Sequence, residues 1–187
     1  MPVAPTGSDQ TAAAKLTSLG LYDEAAAELE AATPDISKLS LAAGYELSEK
    51  FMLGDRADRV MVFIEPLWRK MPADYPIELI PREQLEMLYP APYAGELLNA
   101  APVRKVDPRL MLAIMRQESR FQPDAKSYAA ARGLMQFIST TATRVAGEAG
   151  RNNFRQDDLY DPATSILLGS HYLSDLFSKF PDQSDAV

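Results

Sequence analysis

The sequence predicts an all-α protein made of two units, a short helical-repeat (superhelical) segment followed by a second helical domain. No stretch shows the strict period-two alternation expected of a half-buried strand. Signals that end one helix and start the next recur along the first part of the chain. Prolines crowd the middle of the chain, between residues 66 and 102, and such density interrupts long helices.

Length and composition are those of a soluble globular protein. The 187 residues suffice for one domain or two small ones, and 47% are hydrophobic and 24% charged. The longest apolar runs fall short of a membrane span, so no spanning helix is predicted. No basic segment followed by an apolar stretch opens the chain, so no signal peptide is visible, and residues 1–7 are expected to form a flexible lead-in.

Several classes of chemistry are excluded by composition. The chain has no cysteine and a single histidine, His171, which argues against disulfides, thiolate sites and a histidine zinc site. A Ser-His-Asp triad would need the same histidine, and no Gly-x-Ser-x-Gly elbow is present. We therefore predict no metal and no cofactor. The net charge of −7 argues against nucleic acid as a partner.

The first unit carries paired-helix signals. Gly20 is suited to end one helix in the left-handed conformation, and Asp23 is suited to start the next. A weak echo of this pattern follows around Gly54, at the spacing of tetratricopeptide-type repeats. A short superhelix and an ordinary packing of amphipathic helices both fit these signals. The predicted helices span residues 11–19, 22–32, 36–51 and 56–68.

A connecting segment separates the two units. Residues 71–92 contain five of the prolines and leave room for one short helix, over residues 82–88. We place the units at residues 1–80 and 81–187. Residues 93–100 are then the first helix of the second unit.

The main helix of the second unit has a clear start. Asp107 is a good N-cap and Pro108 suits the first helical position. The helix is expected to end near Phe121, and Gly133 then permits a turn with unusual backbone angles or the close approach of a ligand. Two more helices are predicted over residues 134–148 and 163–179, with Gly169 where two helices approach closely.

Glu118 is the strongest candidate for a catalytic group. Helical residues three, four and seven positions apart share a face. On that face its neighbours are Met111, Ile114, Met115 and Phe121. Burial disfavours the charged form of a carboxyl group, and a carboxylic acid that stays protonated can donate its proton to a leaving group. The alternative is that Glu118 reaches into solvent or pairs with Arg116 or Arg120.

An ordered set of motifs surrounds this glutamate and resembles a known family. Glu118-Ser119 is followed by Ser127, by the run Gly133, Leu134, Met135 and Gln136, and then by Thr141-Ala142, Leu159 to Pro162, Ile166, Gly169 and Tyr172-Leu173. This text is similar to the catalytic domain of the soluble lytic transglycosylases, members of the lysozyme-like superfamily, over roughly residues 90–187. The upstream helices resemble the α-superhelical linker that precedes this domain.

The chain also departs from the family pattern. Ala130 stands where the family usually has glycine, Phe137-Ile138-Ser139 replaces the commoner Leu-Met-Pro, and Ser165 replaces an asparagine. Family members continue with an Ala-Tyr-Asn-Ala-Gly-like segment, which would begin about where this chain stops. The resemblance therefore implies a lysozyme-like domain that lacks its C-terminal helices, in a fragment truncated at both ends.

The resemblance implies a peptidoglycan lytic transglycosylase of the periplasm or cell envelope. Such an enzyme cleaves the β-1,4 bond between N-acetylmuramic acid and N-acetylglucosamine without water and leaves 1,6-anhydromuramic ends. Glu118 would be the single general acid and base, and Ser127 would hydrogen-bond or orient it. The remaining substrate-binding candidates are Gly133, Leu134, Met135, Gln136 and Ile138, although Leu134 is also expected in the core.

Two other functions remain open from the sequence. One is a goose-type lysozyme-like hydrolase, which shares the glutamate and adds water with the help of an aspartate. The other is a non-catalytic helical module that binds glycan strands or proteins, with protein partners on the N-terminal helices. For residues 1–187 alone, little or no turnover is expected.

Overall fold

The protein is helical throughout its regular structure. The computed structural model describes residues 11–33 and 35–180, and the lead-in predicted at residues 1–7 lies outside the described residues. Within those ranges nine α-helices alternate with turns and short 3₁₀ segments, and only isolated bridges, from Arg132 to Lys126 and to Phe137, have β character. The predicted all-α class is confirmed. No helix in the described ranges is long and apolar enough to cross a membrane.

The chain folds as two compact units, residues 1–92 and residues 93–187. This division lies after the helix Arg82–Leu88, whereas the boundary placed between residues 80 and 81 from the sequence lies before it. The helix groups with the first unit because it packs on the helix Ala57–Trp68.

In its described part, the first unit is a chain of helices that pack on their neighbours in sequence. These are α1 (Ala12–Ser18), α2 (Tyr22–Ala32), α3 (Leu41–Leu53), α4 (Ala57–Trp68) and α5 (Arg82–Leu88). Successive packing of this kind is what paired-helix repeats use. Gly20 separates α1 from α2 with φ +76°, as its position predicts, because only glycine enters this region without a steric cost.

The start of α3 differs from the prediction. The helix expected over residues 36–51 begins at Leu41, and residues 36–38 form a separate 3₁₀ turn. The hydroxyl oxygen of Ser40 accepts a hydrogen bond from the backbone N–H of Ala43 at 3.4 Å, so the helix starts at this cap.

The second unit is built around one long helix. Its elements are α6 (Ala94–Ala100), α7 (Pro108–Ser119), α8 (Ser139–Glu148) and α9 (Pro162–Lys179). α9 packs on each of the other three and buries Ile166 and Leu168. At Gly169 side chains approach closely rather than a second helix backbone, because a Cβ atom there would lie 2.9 Å from the Cε atom of Met135, in the loop before α8, and 3.3 Å from that of Met111 in α7.

Two predicted helix boundaries in this unit are wrong. α7 ends at Ser119 rather than near Phe121, because Arg120 and Phe121 both adopt left-handed backbone angles. The helix predicted from residue 134 begins only at Ser139, because Gly133 and Gln136 have positive φ angles that no α-helix accommodates. The intervening residues form an irregular loop instead, and this loop shapes the site described next.

Candidate active site

A groove of about 580 Å³ opens between α7 and α9 in the second unit. Leu110, Ala113, Ile114, Gln117 and Glu118 of α7 form one wall. Tyr172, Leu173 and Leu176 of α9 form the other wall, and residues 135–138 with Thr141 form the floor. The volume lies within the range of roughly 300–1,000 Å³ typical of ligand sites. Glu118 is the acidic group among these lining residues.

The position of Glu118 follows from how α7 packs. The Asp107 carboxylate accepts a hydrogen bond from the backbone N–H of Arg109 at 2.8 Å and caps the helix start, as predicted. Met111, Met115 and Ser119, spaced four residues apart, face the core. Glu118 lies beside this buried stripe, on the exposed side of the helix.

The apolar enclosure expected around Glu118 is therefore not observed. Met111 and Met115 are fully buried in the core, and Phe121 leaves the helix face because α7 ends two residues earlier. Only Ile114, of the four expected neighbours, shares the groove with Glu118. Within the described residues Glu118 takes part in no hydrogen bond or ion pair, so its carboxyl group is available to a ligand.

The floor of the groove is an irregular loop that only particular residues can form. Gly133 has φ +74°, and a Cβ atom there would lie 2.0 Å from the carbonyl oxygen of Leu159. Gln136 also has positive φ, and its side-chain Nε2 donates to the carbonyl oxygens of Ala125 at 3.2 Å and Gly133 at 2.9 Å. Gln136 and its neighbour Met135 both line the groove.

The structure brings together some of the predicted site residues and separates others. Glu118, Met135, Gln136 and Ile138 line the groove. The three other candidates, Ser127, Gly133 and Leu134, are not among its lining residues.

Each of these three residues has a structural setting of its own. Leu134 is fully buried, in keeping with its expected core position, and Gly133 packs against Leu159. The hydroxyl oxygen of Ser127 accepts from the backbone N–H of Ala131 at 3.1 Å. No bond joins Ser127 to Glu118 within the described residues.

Ser119 is a residue of the site that the sequence did not single out for a role. Its buried hydroxyl donates to the carbonyl oxygen of Met115 at 3.1 Å and to that of Leu134 at 3.0 Å. The second bond ties the last turn of α7 to the floor loop, next to Glu118. The sequence signal for Ser119 was its position directly after Glu118. Its hydrogen-bond partner, Leu134, lies fifteen residues away in sequence, too far for a local pattern to reveal.

Removing this hydroxyl should destabilise the second unit. In Ser119→Ala the carbonyl of Leu134 loses a buried donor, and we expect the free energy of unfolding to fall by about 1–3 kcal/mol. Urea unfolding followed by circular dichroism measures the change. Ser178→Ala is the matched control, because the Ser178 hydroxyl bonds only to Asp175 of its own helix in an exposed position, and a change within about 0.5 kcal/mol is expected there. Equal losses in the two variants would contradict a bridging role for Ser119.

Tyr172 lines the groove, although the sequence did not assign it to the site. Its ring packs edge-on against Phe137 at 5.7 Å between centroids, and the Arg144 guanidinium lies 5.9 Å from its centroid. Arg144 donates to Glu148 at 2.7 Å, and this bond raises the pKa of the guanidinium. The ring thus forms a fixed aromatic surface across the groove from α7.

In the part of the chain that the structure describes, no three His, Cys, Asp or Glu side chains are grouped so that they could hold a metal ion.

Comparison with known proteins gives a family match for most of the second unit. The family described as the transglycosylase SLT domain matches residues 97–187. Membrane-bound lytic murein transglycosylase C of Haemophilus influenzae is 40% identical over 94 residues, which are 48% of this chain and 26% of that protein. The same-named protein of Klebsiella pneumoniae is 41% identical over 84 residues, 44% of this chain and 23% of that protein. The chain spans only about a quarter of the length of these relatives.

Solved structures share the helical fold. The 70 kDa soluble lytic transglycosylase of Escherichia coli superposes with a TM-score of 0.66 at 23% identity, over 96% of this chain and 28% of that one. An inactive Glu-to-Gln mutant of lytic transglycosylase Slt from Pseudomonas aeruginosa gives a TM-score of 0.57 at 23% identity, over 92% of this chain and 26% of that one. The predicted fold, helical-repeat helices followed by a lysozyme-like α domain, is confirmed. Residues 97–187 of this chain match the model of the transglycosylase SLT domain family.

Proposed function

We propose that this chain is part of a peptidoglycan lytic transglycosylase that acts in the cell envelope. The observation that carries the proposal is the groove of an SLT domain with the carboxyl group of Glu118, unpaired within the described residues, in its wall. The relatives that match this chain are named lytic murein transglycosylases, which supports the same substrate class. The bond cleaved is the β-1,4 linkage between N-acetylmuramic acid and N-acetylglucosamine.

Glu118 serves as both acid and base in the proposed reaction. It first protonates the oxygen that leaves N-acetylmuramic acid, and then accepts the proton of the C6 hydroxyl that attacks the anomeric carbon. The product is a 1,6-anhydromuramic end, and no water is consumed. Among the described residues that line the groove, Glu118 has the one carboxyl group, which suits a reaction that needs no second carboxylate.

The other lining residues divide into apolar surfaces and polar contacts. Met135, Ile138 and Tyr172 offer flat or flexible apolar surfaces to the faces of sugar rings. The polar side chains beside Glu118 include those of Gln117, Gln136 and Thr141. The Nε2 atom of Gln136 already bonds the loop, which leaves its amide oxygen for acetamido or hydroxyl groups.

The predicted site residues outside the groove act on it indirectly in this proposal. Gly133 and Leu134 set the shape of the floor loop through their packing. Ser127 holds the turn that precedes this loop through its bond with Ala131.

Product masses test the reaction type. Purified cell walls are incubated with the protein, and soluble muropeptides are analysed by mass spectrometry at a sensitivity that detects less than one turnover. We expect anhydro-muropeptides. Products heavier by one water would identify a hydrolase of the goose-lysozyme type and contradict the proposal. Binding of chitooligosaccharides in isothermal titration without any released product, also at high protein concentration, would favour a non-catalytic glycan-binding module.

A further inference from the structure

The first unit contains an apolar pocket of its own, formed by α3, α4, α5 and the segment that joins α4 to α5. Its volume is about 100 Å³, and aromatic rings of Tyr45, Trp68 and Tyr75 contribute to its lining together with Leu79 and Gln84. An apolar cavity of ~150 Å³ accepts benzene. This pocket is smaller, so a branched aliphatic side chain fits it better than a sugar ring does.

The rim of the pocket is an exposed apolar surface. Met71, Tyr75, Ile77 and Leu79 all lie on the segment between α4 and α5, and each leaves a large part of its side chain in solvent. Prolines at positions 72, 76 and 81 limit the conformations of this segment, so little entropy is lost when a partner binds it. An exposed apolar surface around a pocket often marks an interaction site.

Charge around the rim selects the kind of partner. Asp74 and Glu78 alternate in sequence with the apolar rim residues, are exposed, and form no ion pair within the described residues. The neighbouring Arg69 and Arg82 are ion-paired with Glu65 and Glu86, and the exposed Lys70 is a nearby cation without such a pair within the described residues, set against two carboxylates. Residues 1–92 carry a net charge of −7, whereas residues 93–187 are neutral overall. A cationic partner is therefore favoured at this surface.

We propose that this pocket docks another protein through a segment in which a leucine-sized side chain is flanked by lysine or arginine. The aliphatic side chain enters the pocket beside Trp68, and the basic groups face Asp74 and Glu78. This site belongs to the first unit and is independent of the glycan groove, since no lining residue is shared.

Fluorescence of Trp68 reports occupancy directly, because the chain has one tryptophan and it lines the pocket. Three capped peptides serve as probes: Lys-Gly-Leu-Gly-Lys, Lys-Gly-Ala-Gly-Lys and Glu-Gly-Leu-Gly-Glu. The lysine-leucine peptide should change the emission of Trp68, and the change should saturate as the peptide concentration rises. The alanine peptide should bind about tenfold more weakly, because a buried leucine side chain is replaced by a methyl group. The glutamate peptide should bind more weakly still at low salt, and added salt should narrow that difference.

Matched variants locate the site. Leu79 and Leu19 are both exposed leucines of the first unit, at 65% and 72% of their surface, and Leu19 does not line the pocket. Leu79→Ser should weaken binding of the lysine-leucine peptide by about fivefold or more, and Leu19→Ser should leave it unchanged. The double variant Asp74→Asn with Glu78→Gln, which keeps the apolar surface, should remove the preference for lysine over glutamate peptides.

Several results would overturn the proposal. One is the absence of a saturable Trp68 response to the lysine-leucine peptide up to ~10 mM, the weak limit of useful affinity. Equal responses to all three peptides would exclude recognition by side-chain size and charge. A saturable Trp68 response to chitotriose, together with no response to any of the three peptides, would assign the pocket to glycan instead.

Discussion

Replacing Glu118 with glutamine should lower the release of anhydro-muropeptides by about 10²–10⁴-fold, the usual loss when a well-placed general acid is removed. Glutamine keeps the size and shape of the side chain but can neither donate nor accept the proton as required. Because Glu118 makes no hydrogen bond or ion pair within the described residues, the substitution should leave the fold and its stability intact. The rate is measured on purified cell walls by quantifying soluble anhydro products, with a longer protein that carries this chain, because little or no turnover is expected of residues 1–187 alone.

Asp124→Asn is the matched control for this experiment. Asp124 is an exposed carboxylate that follows α7 closely in sequence and does not line the groove. Its substitution should leave the rate within about twofold of the unmodified protein, a change of no more than ~0.4 kcal/mol in the barrier. A loss in Asp124→Asn as large as that in Glu118→Gln would indicate two cooperating carboxylates and a hydrolytic reaction.

Binding separates the catalytic role of Glu118 from a role in holding substrate. Titration of Glu118→Gln with chitooligosaccharides should give an affinity close to that of the unmodified protein, since the amide preserves most contacts of the carboxyl group. An inactive Glu-to-Gln mutant of the Pseudomonas aeruginosa protein has a solved structure with a similar helical fold, so this exchange is compatible with folding in that protein. Unchanged product release by Glu118→Gln would end the proposed mechanism.

Elements defined by local chemistry could be predicted from the sequence. The start of α7 follows from Asp107 and Pro108, whose capping bond and fixed φ act within one turn. The break at Gly20 depends on the backbone freedom of one residue. In both cases the interactions that decide the structure lie within a few positions in sequence.

Elements defined by distant contacts could not be predicted. Residues 134–138 have the composition of a helix start, yet they form a loop because Gly133 packs on Leu159 and Gln136 bonds to Ala125. The role of Ser119 depends in the same way on Leu134.

The surroundings of the candidate site were harder to predict than its residues. The motif order located Glu118, Met135, Gln136 and Ile138 at one groove, although their catalytic and binding roles stay predictions. The sequence left two alternatives for Glu118, an apolar enclosure or a side chain in solvent, because a helical face pattern does not tell which part of an apolar stripe the neighbouring helices cover; the structure has it exposed.

Gly133→Ala is expected to destabilise the second unit by about 3 kcal/mol or more. Two costs add at this position. The left-handed backbone, at φ +74°, costs an alanine about 1–2 kcal/mol. The new Cβ atom would also lie 2.0 Å from the backbone oxygen of Leu159, so one of the two segments must move, and overpacking of a core costs about 1–3 kcal/mol.

Gly150→Ala separates the two costs, because Gly150 has φ +75° and no atom within 4 Å of the position of a Cβ atom. This control should lose only the backbone contribution of about 1–2 kcal/mol. Urea unfolding followed by circular dichroism, with the slope compared between variants, measures both values. Equal losses would mean that the loop relaxes away from Leu159 without cost. A larger loss of stability in Gly133→Ala, together with weaker chitooligosaccharide binding, would mean that the packing of Gly133 on Leu159 holds Met135 and Gln136 in the groove. Glycine would then be required at position 133 for the shape of the floor rather than for contact with the glycan.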